Sequence, residues 1–332
     1  MQTSRAAGAS SSTTSHGTNA TAAEPPPPRR MSLRQRVRRD RVLLLAALPG
    51  ITLLLVFQYL PLLGNVIAFK DYQPYLGING SPWAGLRDFA VIFNGDPAFV
   101  NALENTVEIT LLQVLVAFPV PIALALMLDS LVSERVKRIV QSVLYLPHFL
   151  SWVIVVAIFQ QTLGDAGLLN TFLRGHDLAT VHVVGNATVF KEMITAQALW
   201  KDAGWSMILF LAALSRIDPG LYEAAAVDGA SHWRRVWHVS LPGLRGIIVL
   251  LLILRLGESL TVGFEQIVLQ QGGVGIDASE VLDTYVFNNG IQQGDWGAAA
   301  AVGLVKGAVG LLLVLGANKV AHRLGEQGIY QR

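Results

Sequence analysis

The sequence predicts an all-α integral membrane protein of six helices, and three observations carry that prediction. Of 332 residues, 52% are hydrophobic and only 14% are charged, whereas a soluble domain carries about 25% charged residues. The apolar residues fall in long runs, and the mean hydropathy is +0.47. The basic residues cluster beside those runs instead of spreading evenly. Net charge is only +2, so no strong global field argues for nucleic acid. There is no cysteine, which removes disulfides, thiolate metal sites and cysteine nucleophiles.

Residues 1–40 are expected to be a disordered basic tail, and residues 41–332 a membrane domain. The first thirty residues are rich in Ser, Thr, Ala and Gly and end near four prolines at 25–28; they have almost nothing to bury. Arg29, Arg30, Arg34, Arg36, Arg38, Arg39 and Arg41 follow. Arg38-Arg39 before an apolar run suits a twin-arginine export signal, but the run is too long and no small-x-small cleavage site closes it. It is therefore expected to be retained as a first span.

A spanning helix needs roughly 20 mostly apolar residues. No charge lies between Arg41 and Lys70, which puts the first span at about 42–69, with Pro49-Gly50 and Pro61 as kinks or ends. The second, 106–128, is charge-free from Ile109 and contains Pro119 and Pro121. The third, 139–164, has Pro147 near its start. The fourth, 191–214, contains Lys201 and Asp202; the fifth, 244–268, contains Arg255 and Glu258; the sixth, 297–320, contains Lys306.

Orientation follows from the bias of Lys and Arg toward cytoplasmic loops. With a cytoplasmic N-terminus, the inside segments hold the seven arginines already named, then Arg135, Lys137, Arg138, Arg216, Arg234, Arg235, Arg245, Lys319, Arg323 and Arg332. The outside segments hold Lys70, Arg87, Arg174 and Lys191. Seventeen against four predicts both termini inside, with 70–104, 165–190 and 269–295 facing outward.

The loop between spans four and five predicts a short capped helix. Asp218 suits its N-cap and Pro219 its first position. Glu223, Ala224, Ala225 and Ala226 favour helix, and Gly229 can end it in the left-handed conformation. Ser231 is expected to cap a second short helix, which Leu241-Pro242 breaks before span five. Ala224 and Ala225 form a low ridge that another surface can approach, with Glu223 as an ionic anchor beside it. That is the build of a docking knob.

Glu223-Ala224-Ala225, three residues, Gly229, nine residues, Val239, one residue, Leu241-Pro242 resembles the EAA motif of permease subunits of binding-protein-dependent ABC importers, with Val239 where the family has Ile. Asp228-Gly229-Ala230 is similar to the carbohydrate-uptake version. Ala68-Phe69-Lys70-Asp71-Tyr72, Gly85-Leu86-Arg87-Asp88-Phe89 and Leu146-Pro147-His148-Phe149 with Trp152 resemble the oligosaccharide permeases related to LplB. The resemblance implies a six-helix type I ABC importer permease fold with a cytoplasmic coupling helix. It implies Glu223, Ala224, Ala225, Asp228, Gly229, Leu241 and Pro242 as contacts to an ATPase. The implied partners are a second permease in a heterodimer, two ATP-binding subunits, an extracytoplasmic solute-binding protein and a sugar, all at the bacterial inner membrane.

No stretch reads Gly-x-x-x-x-Gly-Lys-Ser/Thr, so no cofactor is expected on this chain and ATP would be used by the partner subunits. Gly272-Gly273-Val274-Gly275 is expected to be a flexible outward loop. No His-Glu-x-x-His or Gly-x-Ser-x-Gly pattern appears, which argues against a metal site and against an enzyme. His148 is expected to stand alone at the start of a span.

Charged residues inside a bilayer usually face a bundle interior or a watery cavity. Lys201, Asp202, Arg255, Glu258 and Lys306 are therefore candidates for a polar translocation route. Arg255 and Glu258 are spaced to form an ion pair on one helical face, which would serve the route or merely orient helices. Trp200 and Trp205 are candidates for stacking on a sugar ring, or for anchoring at the membrane interface. The rival class is an ion-coupled secondary transporter, in which the same charges would relay ions.

Overall fold

A computed structural model describes residues 40–323 with 325, 326 and 328. The expected disordered tail, its arginines from 29 to 39, and Arg332 lie outside the described residues. Among these, helix is the only extended regular structure, and a single β-bridge pairs Lys70 with Trp83. They form two compact units divided between Leu60 and Pro61.

The first unit carries α1 (Arg41–Leu54) and a π-helical turn, Leu55–Tyr59. Pro49 lies within α1 without ending it: one missing N–H is tolerated where all neighbouring bonds persist. No residue of α1 is buried.

In the second unit, α2 (Pro97–Leu112), a π turn (Gln113–Ala117) and α3 (Pro119–Asp129) form one run. It starts at Pro97, earlier than the predicted 106. Asp96 caps it by accepting a 2.9 Å bond from the Phe99 N–H, and Pro97 fits the first turn. Pro119 opens α3 directly after the π turn, which absorbs the backbone bonding a proline disturbs.

The predicted third span is corrected. Its segment consists of α4 (Glu134–Tyr145), a 3₁₀ turn (Leu146–Phe149), a break at Leu150 and Ser151, and α5 (Trp152–Leu163). α6 (Leu168–Gly175) follows. Leu150 is extended, and Ser151 Oγ accepts from the Ile154 N–H to restart the helix. Pro147 cannot continue an α-helical ladder through this point.

α7 (Phe190–Leu214) covers the segment expected as the fourth span and is the central helix, with eleven buried residues. Five other runs are long and apolar enough to cross a membrane: Arg41–Phe69, Pro97–Asp129, Trp152–Gly175, His232–Gly257 and Trp296–Arg323. α7 has the length but is less uniformly apolar, and its buried residues are packed against other helices of the protein. Met207, Phe210 and Leu214 pack with Ala125 and Leu128 of α3; Phe190, Met193 and Ile194 pack with Ile109, Val262, Ile267 and Val281. A Cβ at Gly204 would collide with the Leu144 carbonyl oxygen, so this glycine sets the approach of α7 to α4.

α8 (Pro219–Val227) comes next, then α9 (His232–Arg235), a π turn (Val236–Ser240) and α10 (Leu241–Gly257). Residues 232–257 are one helical run, so Leu241-Pro242 does not break it: the π turn again precedes the proline. Ser231 occupies the N-cap position of α9, but its side chain makes no capping bond there. α10 ends at Gly257, well short of the predicted 268, and Glu258 is its C-cap. Gly263, at φ +102, then starts α11 (Phe264–Val274). Gly272 and Gly273 are part of that helix and Gly275 ends it, so the expected flexible loop is helical. α12 (Leu282–Phe287) and α13 (Trp296–Arg323) complete the unit. α10 and α13 cross closely, since a Cβ at Gly310 would stand 2.9 Å from the Gly257 carbonyl oxygen; small residues permit such crossings.

Candidate functional site: a docking helix and a polar cavity

Two groups of residues stand out. The first is α8. Asp218 Oδ1 accepts from the Gly220 N–H at 2.9 Å, and Pro219 takes the first position. At the other end Gly229 has φ +72. The Ala230 N–H donates to the Ala225 carbonyl at 2.9 Å and the Gly229 N–H to the Ala226 carbonyl at 3.0 Å. This doubled closure is the Schellman arrangement, which a left-handed glycine makes cheap.

No residue of α8 is buried. Glu223, Ala224 and Asp228 are exposed, as are Leu221 at 54% and Val227 at 89%. α8 and the residue before its N-cap are tied to the helical run 232–257 at two points. Tyr222 and Ser240 share a 3.0 Å hydrogen bond between hydroxyls. Ile217 lies so close to Gly243 that a Cβ there would come within 2.5 Å of Ile217 Cδ1. Leu241 and Pro242 belong to the first turn of α10, between these two contacts.

The second group lines a cavity of about 280 Å³ between α2–α3, α7 and α10. Gln113, Asp202, Ser206, Arg255 and Glu258 supply its polar wall, and Phe118, Leu209, Phe210 and Leu251 are among its apolar residues. The structure thus brings together Asp202, Arg255 and Glu258. The expected Arg255–Glu258 pair on one helical face is corrected: α10 has ended at Glu258, and Arg255 donates instead to Gln113 Oε1.

Lys201 points away from the cavity. It is buried, and its Nζ donates to the carbonyls of His148 at 2.6 Å and Leu150 at 2.7 Å, over the Trp152 ring. These are the carbonyls the break in the third span leaves open. His148 does not stand alone: its Nδ1 donates to Asp202 Oδ1 at 2.8 Å. Lys306 pairs with Asp283 of α12. Trp200 meets Phe159 edge-on at 5.8 Å, and Trp205 stacks on His148 at 4.6 Å. Among the described residues no group of three or more His, Asp or Glu side chains could hold a metal.

Sequence reasoning missed a buried amide cluster. Gln266 Nε2 and Gln270 Nε2 both donate to Gln197 Oε1, at 2.7 and 3.0 Å, fastening α7 to α11. The four-residue spacing of Gln266 and Gln270 in an apolar segment was its available signal.

Apolar helices around a polar cavity, with an exposed small-residue helix emerging between two of them, define a membrane transport subunit rather than an enzyme. The chain belongs to the family of binding-protein-dependent transport system inner membrane components, which matches residues 117–325; it is a multi-pass inner-membrane protein. It is 43% identical, over 88% of its length and 91% of the relative's, to the polygalacturonan/rhamnogalacturonan transport system permease protein YteP of Bacillus subtilis. It is 42% identical to protein LplB of the same organism, over 89% and 92% of the two chains. A chain in the crystal structure of a bacterial alginate ABC transporter, in complex with alginate pentasaccharide-bound periplasmic protein, superposes with a TM-score of 0.81 at 34% identity. That match covers 90% of this chain and 99% of the other.

Proposed function

We propose that this chain is one permease of an ATP-driven importer for sugars or oligosaccharides, working with a second permease, two ATPase subunits and an extracytoplasmic binding protein. The relatives support the sugar class: YteP is named for polygalacturonan and rhamnogalacturonan, and the alginate transporter for an acidic polysaccharide. The charge bias predicts that α8 faces the cytoplasm, where an ATPase would meet Glu223, Ala224, Ala225, Asp228 and Gly229. This chain needs no nucleotide of its own in that arrangement. The ion-gradient alternative finds no support in a binding-protein-dependent family.

The joint between α8 and α10 carries the reading. A push on α8 reaches α10 through Tyr222–Ser240 and the Ile217–Gly243 contact. The far end of α10 bears Arg255, and Glu258 follows it at the cavity wall. The helical run 232–257 thus links the docking face to the cavity wall that Arg255 and Glu258 share with Asp202 of α7, the proposed polar route for sugar hydroxyls. Lys201 and Lys306 are engaged elsewhere. The Leu241-Pro242 turn would rotate with α10.

The double variant Glu223→Ala with Gly229→Pro tests it in the reconstituted transporter. Pro cannot adopt φ +72, so the Schellman closure is lost. We expect normal membrane insertion, loss of ATPase association and uptake reduced at least tenfold. Uptake equal to wild type would exclude the coupling role.

A further inference from the structure

α4 contributes no residue to the cavity wall, and its two apolar faces meet different surroundings. Val140, Leu144 and Tyr145 pack against the cluster that holds Met207, Phe210 and Leu214 of α7. Val136, Ile139 and Val143, spaced three and four apart on another face, are 46, 64 and 65% exposed. Leu146, just beyond α4, is exposed as well. Arg135 lies beside this stripe, one turn before Ile139, and Arg138 is its neighbour one turn along the helix; both are exposed. Lys137 is drawn away to Asp129, 3.8 Å distant. Arg135 and Arg138 have no ion-pair partner among the described residues.

The bias of basic residues predicts that this end of α4 faces the cytoplasm and that residues 165–190 face outward. Between them α5 has twelve residues, roughly 18 Å, against a hydrocarbon core of ~30 Å. α4 therefore supplies the share of the cytoplasmic leaflet. From Val136 to Leu146 the stripe runs roughly 15 Å, the depth of one leaflet. Contacts between membrane helices favour small residues, whereas every member of this stripe is a branched aliphatic. An acyl chain fits such a surface. Two unpaired guanidiniums at its cytoplasmic end fit a phosphate, whose oxygens accept their paired N–H donors.

We propose that this stripe, with Arg135 and Arg138, is a binding site for one anionic phospholipid of the cytoplasmic leaflet. Its acyl chains lie along Val136, Ile139, Val143 and Leu146, and the arginines hold its negatively charged headgroup. A zwitterionic lipid covers the stripe equally well but offers the arginines no net charge. The site depends on the orientation set by charge and not on which molecule is transported.

The test places the photo-reactive residue p-benzoylphenylalanine at Ile139 in the full transporter. The complex is held in nanodiscs of equal parts dioleoylphosphatidylglycerol and dioleoylphosphatidylcholine. Irradiation followed by mass spectrometry of this chain identifies the neighbour in each adduct. We expect lipid adducts, with phosphatidylglycerol favoured at low salt by up to about fivefold for each arginine. Arg135→Gln with Arg138→Gln should bring the two lipids to parity. Arg135→Lys with Arg138→Lys should keep most of the preference, and added salt should weaken it. ATP hydrolysis by the complex controls for assembly of each variant.

Adducts to the second permease in place of lipid overturn the proposal, because the stripe is then an interface between subunits. Lipid adducts in equal numbers with both arginines present also overturn it, since they mark contact with bulk lipid alone. A preference for phosphatidylglycerol that survives the glutamine pair overturns the role of Arg135 and Arg138, and the site with it.

Discussion

Lys201 shows how a charge can be accommodated in a membrane helix without touching a transported molecule. Burying a cation is costly unless hydrogen bonds compensate it, and the broken backbone at 148–150 offers two unsatisfied carbonyls within reach. Each group satisfies the other. Lys201→Met should leave both carbonyls unpartnered, at about 1–3 kcal/mol each, seen as a lowered thermal unfolding temperature in detergent. Glu280 shows a different balance. Burial pushes its carboxyl above the ordinary value, against the Asn288 hydrogen bond that pulls it down. The folded state therefore holds the carboxyl proton more tightly than the unfolded chain does. The resulting stability is complete below about pH 4.5 and is lost as pH rises through the raised value. Glu280→Gln should flatten that profile, as measured by unfolding temperature against pH. An unchanged slope would show that other groups set it.

At the scale of elements, what the sequence disclosed followed locality. Asp218, Pro219 and Gly229 act within one or two turns of themselves, so α8 and both its caps were legible. The break at Leu150 was not: Pro147 hinted at it, but the groups that stabilise it lie on α7, more than fifty residues away. The same distance explains Arg255, whose partner Gln113 is 142 residues earlier while Glu258 looked suitable three residues on. Ser231 and Pro242 had local rules in their favour, and the π turn at 236–240 altered the outcome for Pro242. Gly204 was one glycine among 31, and nothing in its neighbourhood announced the contact with Leu144. Gly204→Ala should force α4 and α7 apart and cost about 1–3 kcal/mol. Gly303→Ala, which faces open space, should have little effect; comparing their unfolding temperatures checks the assignment.

Across the whole molecule, the composition disclosed the membrane setting and the helical class at once, because long charge-free runs admit few other solutions. The candidate site was legible in identity more than in arrangement. Asp202, Arg255 and Glu258 do share a cavity, yet Lys201 and Lys306, chosen by the same criterion, are engaged with backbone and with Asp283. Hydropathy registers that a charge is present but carries no record of what it faces.

The placement of α7 at the centre has a consequence for biogenesis. A segment carrying Lys191, Glu192, Lys201 and Asp202 partitions poorly into lipid on its own during synthesis. It should leave the translocon only when companion helices shield its polar side. A nascent chain halted near residue 218 should leave α7 open to protease digestion, while one extended through α10 should protect it. The most deeply enclosed helix of the mature protein would then be among the last to settle.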